Sequence, residues 1–137
     1  MKKIVLDTNK LFAALLSRNE DFRQVMFDPG YRIFTTKYLI VEIFKHKERI
    51  VAASGLEEQE LLSLLHSILE RIQFIDEDSI RIGSWTESWR LCRDVNENDT
   101  AYVALALDQD AELWTSDRVL ETGLRKKGFT HFFVPPP

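Results

Sequence analysis

The chain has 137 residues, 45% of them hydrophobic and 29% charged, which suits one ordinary globular domain and excludes a disordered or collagen-like chain. Its one cysteine, Cys92, excludes an intramolecular disulfide and thiolate metal clusters. The formal net charge of −4 excludes indiscriminate nucleic-acid binding through overall charge, while leaving room for a local grip on phosphate.

The opening segment, Met1-Lys2-Lys3-Ile4-Val5-Leu6-Asp7, reaches a carboxylate after three apolar residues. That is too short for a signal-peptide core, and no later apolar run approaches the ~18 residues of a spanning helix, so a cytoplasmic protein is expected. Residues 3–7 predict a first strand whose continuous apolar character suits a central parallel strand covered on both faces. Leu11, Phe12, Leu15 and Leu16 form the stripe of a helix starting near Lys10. A second strand is expected at 32–35, followed by a helix with Leu39, Ile40, Ile43 and Phe44 on one side. Leu61, Leu62, Leu64, Leu65, Ile68 and Leu69 mark another helix, with Glu57 and Glu58 suited to its N-terminus.

Residues 72–75 read as a third strand. Trp85, Trp89 and Cys92 then recur at helical spacing, as core or dimer packing would require. Residues 101–107 are apolar nearly all round, the mark of a buried helix. Strands at 112–115 and 131–134 bracket a last helix running to Lys127, and Pro135-Pro136-Pro137 ends the structure. Alternating strands and helices predict one α/β domain over 1–137, with a mostly parallel sheet of about five strands.

Binding sites in such sheets collect beyond the carboxyl ends of the strands, and two predicted ends carry aspartates, Asp7 and Asp117. Each also suits an N-cap, with Thr8, Asn9 and Ser116 as competing caps. If the two strands are neighbours, both carboxylates face one crevice. Asp99 follows Asn98, a good N-cap, and shares a helix face with Tyr102, Val103 and Ala106. A carboxylate turned toward the core side has a partner or binds something. Glu42 interrupts an otherwise uncharged run from Tyr38 to Phe44; pairing with Lys45 or His46 is its plain alternative.

Gathered carboxylates repel by about 4 kcal/mol per pair at ~4 Å and a surface-like dielectric, so such a cluster calls for a cation, shared protons or ordered water. All-oxygen ligation favours Mg2+ or Mn2+; His46, His66 and His131 have no zinc-ligand spacing. Asp94 and Glu97, close before Asp99, are accessory candidates, with loop solvation as their plainer reading. Lys10 and Arg118 flank two acidic motifs and are candidate contacts to substrate phosphate.

These residues together resemble the PIN-domain nucleases, including VapC-like members, nearly end to end. Val5-Leu6-Asp7-Thr8-Asn9 looks like the family's first motif, and Leu39-Ile40-Val41-Glu42-Ile43 like the acidic second. The third is similar to Asn98-Asp99-Thr100-Ala101 and the fourth to Thr115-Ser116-Asp117-Arg118. The resemblance implies a three-layer α/β/α sandwich and a carboxylate site for one or two divalent ions. It also implies hydrolysis of RNA phosphodiesters, and makes a homodimer an expectation. It places Asp7 and Asp99 as main metal ligands, Glu42 and Asp117 as further ligands directly or through water, and Thr8, Asn9 and Ser116 as supporting groups. Two variants of this reading stay open: a toxin ribonuclease held silent by an antitoxin protein, and a catalytically idle PIN-like domain that binds RNA or protein. A receiver domain fits poorly, because the first strand lacks an acidic pair. A haloacid-dehalogenase type fits poorly because Asn9 stands where a second aspartate is needed.

Overall fold

The computed structural model describes residues 1–17 and 20–137. Four parallel strands form one sheet in the order β3-β2-β1-β4: β1 (Lys2–Leu6), β2 (Tyr31–Thr36), β3 (Ile72–Ile75) and β4 (Glu112–Trp114). As expected of a continuously apolar strand, β1 is interior, pairing Val5 with Phe34 of β2 and with Leu113 of β4. Its alternating side chains feed two cores. Ile4 and Leu6 join Ile33 and Trp114 on one face, whereas Val5 joins Phe34 and Leu113 on the other. Burial on both faces is what a parallel sheet requires, and it explains the lack of polar alternation in the strand.

The first face carries α1 (Thr8–Ser17), α2 (Glu20–Met26), α3 (Tyr38–Ser54) and α4 (Glu58–Glu70). The second carries α5 (Ile82–Cys92), α6 (Thr100–Gln109) and α7 (Arg118–Lys126). The result is a three-layer α/β/α sandwich. Helix α6 is buried from Tyr102 through Ala106, as its all-round apolar sequence predicts. Helix α3 ends at Gly55, whose φ of 72° is the left-handed conformation glycine adopts without a Cβ penalty.

The fifth expected strand reduces to one bridge. Leu113 pairs with Phe132, its N–H donating to the His131 carbonyl (2.8 Å) and its carbonyl accepting from the Phe133 N–H (2.9 Å). The prolines from 135 onward have no N–H to continue a ladder, and β4 itself offers only three residues. The start of α6 also differs from expectation. Asn96, not Asn98, is the capping side chain: it accepts from the Asn98 N–H in a 3-10 turn spanning Glu97–Asp99. Among the described residues no helix is long and apolar enough to cross a membrane. Trp85 is packed partly into the second core with Cys92, whereas Trp89 is largely exposed.

Candidate active site

Because β1 and β4 are neighbours, their carboxyl ends lie side by side. The Asp7 N–H reaches the Trp114 carbonyl (3.4 Å), which sets Asp7 beside Thr115 at the top of the sheet. Asp7 is 1% exposed. One carboxylate oxygen, Oδ1, accepts from the Lys10 backbone N–H at 2.8 Å and so closes the first turn of α1. The other, Oδ2, is buried without a hydrogen-bond partner. Burial pushes the Asp7 pKa up to about 6, against the pull of the Thr115 hydroxyl and the Lys10 N–H; the Asp117 charge adds to the rise.

Asp99 ends the 3-10 turn and enters α6 without making a capping bond of its own. It is 6% exposed, and its Oδ2 is likewise buried and unpartnered. Burial, then the charges of Asp7 and Asp117, push its pKa up to about 7. These mutual effects bring Asp7, Asp99 and Asp117 into one electrostatic neighbourhood. Asp117 caps α7, its Oδ1 accepting from the Leu120 N–H at 3.0 Å, while the Thr115 hydroxyl accepts from the Asp117 N–H at 3.1 Å. The capping reading therefore holds for Asp7 and Asp117, yet a cap occupies one oxygen and leaves the other available.

Glu42 stands apart from this trio. On α3 it lies 3.4 Å from His46 Nε2, and its hydrogen bond and charge raise the Tyr38 pKa. It shares a cleft of about 550 Å³ with Asp99, Thr8, Asn9, Tyr102 and the α3 residues Lys45, His46 and Arg49. Asp117 lines a separate opening with Thr115, Ser116 and Arg118. In the first cleft the Thr8 hydroxyl is hydrogen-bonded to the Tyr102 hydroxyl, joining the start of α1 to α6, and burial pushes the Tyr102 pKa up to about 12. Lys10 lays its ammonium over the Trp114 ring, 5.1 Å from the centroid.

Among the described residues, no three histidine, cysteine or acidic side chains form a ready-made metal-ligand group. The fit to a hard cation rests instead on two buried carboxylate oxygens that lack partners. Mg2+ is commonly held by only one or two carboxylates, with waters and substrate phosphates completing its shell. Of the accessory residues, Asp94 forms an ion pair with Lys127, and Glu97 lies in the 3-10 turn. His66 pairs with Glu70 at the surface, and His131 lies beside Phe129.

Several residues here escape sequence reasoning as site residues. Thr36 and Thr115 are recognisable only once the strand ends are aligned. Arg49 leaves a trace in the sequence: Glu42, Lys45, His46 and Arg49 recur at intervals of three and four, one face of a helix that flanks the buried stripe of Leu39, Ile43 and Ile50.

A three-layer α/β/α protein with carboxylates gathered at the carboxyl ends of adjacent parallel strands conforms to the PIN-like class. The chain belongs to the PIN domain family, which it matches over residues 5–131, a family made up generally of nucleases. Its fold is similar to that of DNA-bound VapBC from Salmonella typhimurium, with a TM-score of 0.65 and 18% identity over 88% of this chain and 92% of that one. VapBC2 from Rickettsia felis, bound to a promoter DNA fragment, gives 0.64 and 16% over 84% and 88%. PAE2754 from Pyrobaculum aerophilum gives 0.59 and 14% over 89% and 79%. No curated protein sequence matches the chain.

Proposed function

We propose that this chain is a divalent-metal-dependent ribonuclease, a single nuclease domain over 1–137 that hydrolyses RNA phosphodiester bonds at Asp7, Asp99, Asp117 and Glu42. The observation that carries this reading is the pair of buried, partnerless oxygens on Asp7 and Asp99, in carboxyl groups whose pKa values are raised by burial. Burying two such groups together is costly unless protons, water or a cation compensate them, and a cation is the compensation that phosphodiester hydrolysis at this site would use. The all-oxygen donor set suits Mg2+ or Mn2+.

Asp7 and Asp99 would hold the ion, with Asp117 and Glu42 as further ligands directly or through water. A bound divalent ion stabilises charge on the phosphate oxygens and leaving alkoxide and lowers the pKa of water for attack. The remaining work belongs to the chain. The Lys10 N–H fixes the Asp7 rotamer. The Thr115 hydroxyl orients Asp7 from just beyond β4, and the Thr8–Tyr102 hydrogen bond ties the start of α1 to α6. Asn9 and Ser116, exposed at the two openings, face substrate.

The test is cleavage of a labelled RNA oligonucleotide with Mg2+ or Mn2+, its loss with chelator, and its loss in Asp7→Asn. Cleavage that survives Asp7→Asn in a folded protein overturns the mechanism. The VapBC folds favour a second reading of the biology, a toxin ribonuclease silenced by an antitoxin protein; the cytoplasm and a homodimeric state complete that proposal. Growth arrest on expression, relieved by Asp7→Asn and by the product of an adjacent gene, supports it. Unimpaired growth with an active enzyme rejects it.

A further inference from the structure

The acidic cleft bordered by Asp99 and Glu42 also has a basic lining. Lys45 and Arg49 project from α3 on the same face as Glu42, three and seven residues beyond it, and both line the cleft. Both are exposed. Among the described residues neither makes an ion pair, although Asp99 and Glu42 border the same cleft and acidic partners capture other basic residues, Lys47 with Glu58 among them. Two unneutralised cations on the rim of an acidic floor fit a ligand that carries negative charge itself and approaches the acids through a cation. A phosphodiester meets both conditions.

The spacing adds a further constraint. Lys45 and Arg49 are one turn apart, about 6 Å along the helix axis, and Arg49 lies about 10 Å beyond Glu42. A single phosphate does not span that rise, whereas successive phosphates of a strand do. Asn9, Asn96 and Asn98 also line the cleft and offer polar contacts without adding negative charge.

Resting on the nuclease reading above, we propose that Lys45 and Arg49 grip successive phosphates of a single-stranded RNA laid along the Glu42–Arg49 face of α3. They are substrate-positioning residues: they set where the strand runs and contribute to affinity, not to bond cleavage.

The test is fluorescence anisotropy of a labelled single-stranded RNA oligonucleotide in chelator, where binding is read without cleavage. It is run on the full chain, the Lys45→Ala/Arg49→Ala double variant and a Lys126→Ala control on α7. Circular dichroism verifies that each is folded, and Lys45→Arg/Arg49→Lys serves as the charge-conserving rescue. The double variant is expected to bind on the order of tenfold weaker or worse. Its log K against log salt slope should fall by about 1.4, or about 0.7 for each lost phosphate contact. The control and the rescue stay near the parent. With Mg2+ or Mn2+, the double variant raises KM for the oligonucleotide while kcat changes little. An unchanged affinity and salt slope in the double variant overturns the proposal and leaves the nuclease reading intact. Binding that depends on Lys45 and Arg49 without any cleavage retains the proposal and overturns the nuclease reading. Absence of both binding and cleavage in the parent chain overturns both.

Discussion

The charge of Asp7 falls on Asp99: the two aspartates are some ninety residues apart in the sequence, yet the first raises the pKa of the second, and each keeps one buried oxygen without a partner. Asp7 has spent its other oxygen on the first turn of α1, so its geometry is fixed before any ligand arrives. That combination of a rigid carboxylate and an unmet demand for positive charge has consequences that stability and activity measurements both read.

Neutralising the pair separates stability from function. Asp7→Asn keeps an oxygen acceptor for the Lys10 N–H while removing a buried charge, and Asp99→Asn removes the repulsion from Asp7 and Asp117. Each variant is expected to lose about a hundredfold or more in phosphodiesterase activity. At pH 8 without divalent ions, each should melt no lower than the parent, measured by differential scanning fluorimetry. A variant that is inactive only because it is unfolded contradicts this.

The metal-free protein should be more stable in mild acid than in mild base. Folding raises the pKa of Asp7 from 3.8 to about 6 and that of Asp99 from 3.8 to about 7, so the folded state binds more protons than the unfolded chain across that window. Stability therefore falls as pH rises from about 4 to 7. Asp7 alone accounts for on the order of 2–3 kcal/mol of this loss. Urea titrations from pH 5 to 8 measure the slope. At pH 8, Mg2+ or Mn2+ at a hundred times its dissociation constant should restore about 2.7 kcal/mol.

Asp117 has two duties that different substitutions separate. Asp117→Ala removes both the α7 cap and the charge, and should cost about 1 kcal/mol in stability. Asp117→Ser keeps a capping oxygen and removes only the charge. Equal losses of activity in the two variants assign the function to the carboxylate. Activity lost only in Asp117→Ala, measured with the same RNA substrate, assigns it to the cap.

Helix α7 is held close to the segment before the 3-10 turn by Gly123, where an added Cβ would lie 2.7 Å from Val95 Cγ1 and 2.8 Å from Cγ2. Gly123→Ala should destabilise the protein by about 1–3 kcal/mol through overpacking, exceeding the gain of up to ~1 kcal/mol that alanine brings to a helix. In chemical denaturation, the further change Val95→Ala should recover most of that loss.

The sequence by itself determined the strands and helices that local patterning encodes. The unbroken apolar run of Ile4-Val5-Leu6 marked an interior parallel strand, and the apolar stretch after Asp99 marked the buried α6. Aspartates at strand and helix ends were visible as candidates because capping and ligand binding use the same positions. The short bridge at Phe132 was not legible as such, since 131–134 carries strand-like residues and only the brevity of β4 and the prolines that follow limit it. Which aspartates meet was decided by tertiary structure. The adjacency of β1 and β4 brings Asp7 next to Thr115 and Asp117, and the packing of α6 on the sheet brings Asp99 to them. The contacts of Glu42 with His46 and Tyr38 are local, one turn away on its own helix, and the His46 pairing was legible in the sequence; tertiary structure decided that this helix face, with Lys45 and Arg49, lines the cleft that Asp99 borders. The physical reason is range. Hydrophobic periodicity and capping act over a few residues and are written in the sequence. The burial that leaves Asp7 and Asp99 each with a partnerless oxygen depends on strand order and helix packing between segments some ninety residues apart.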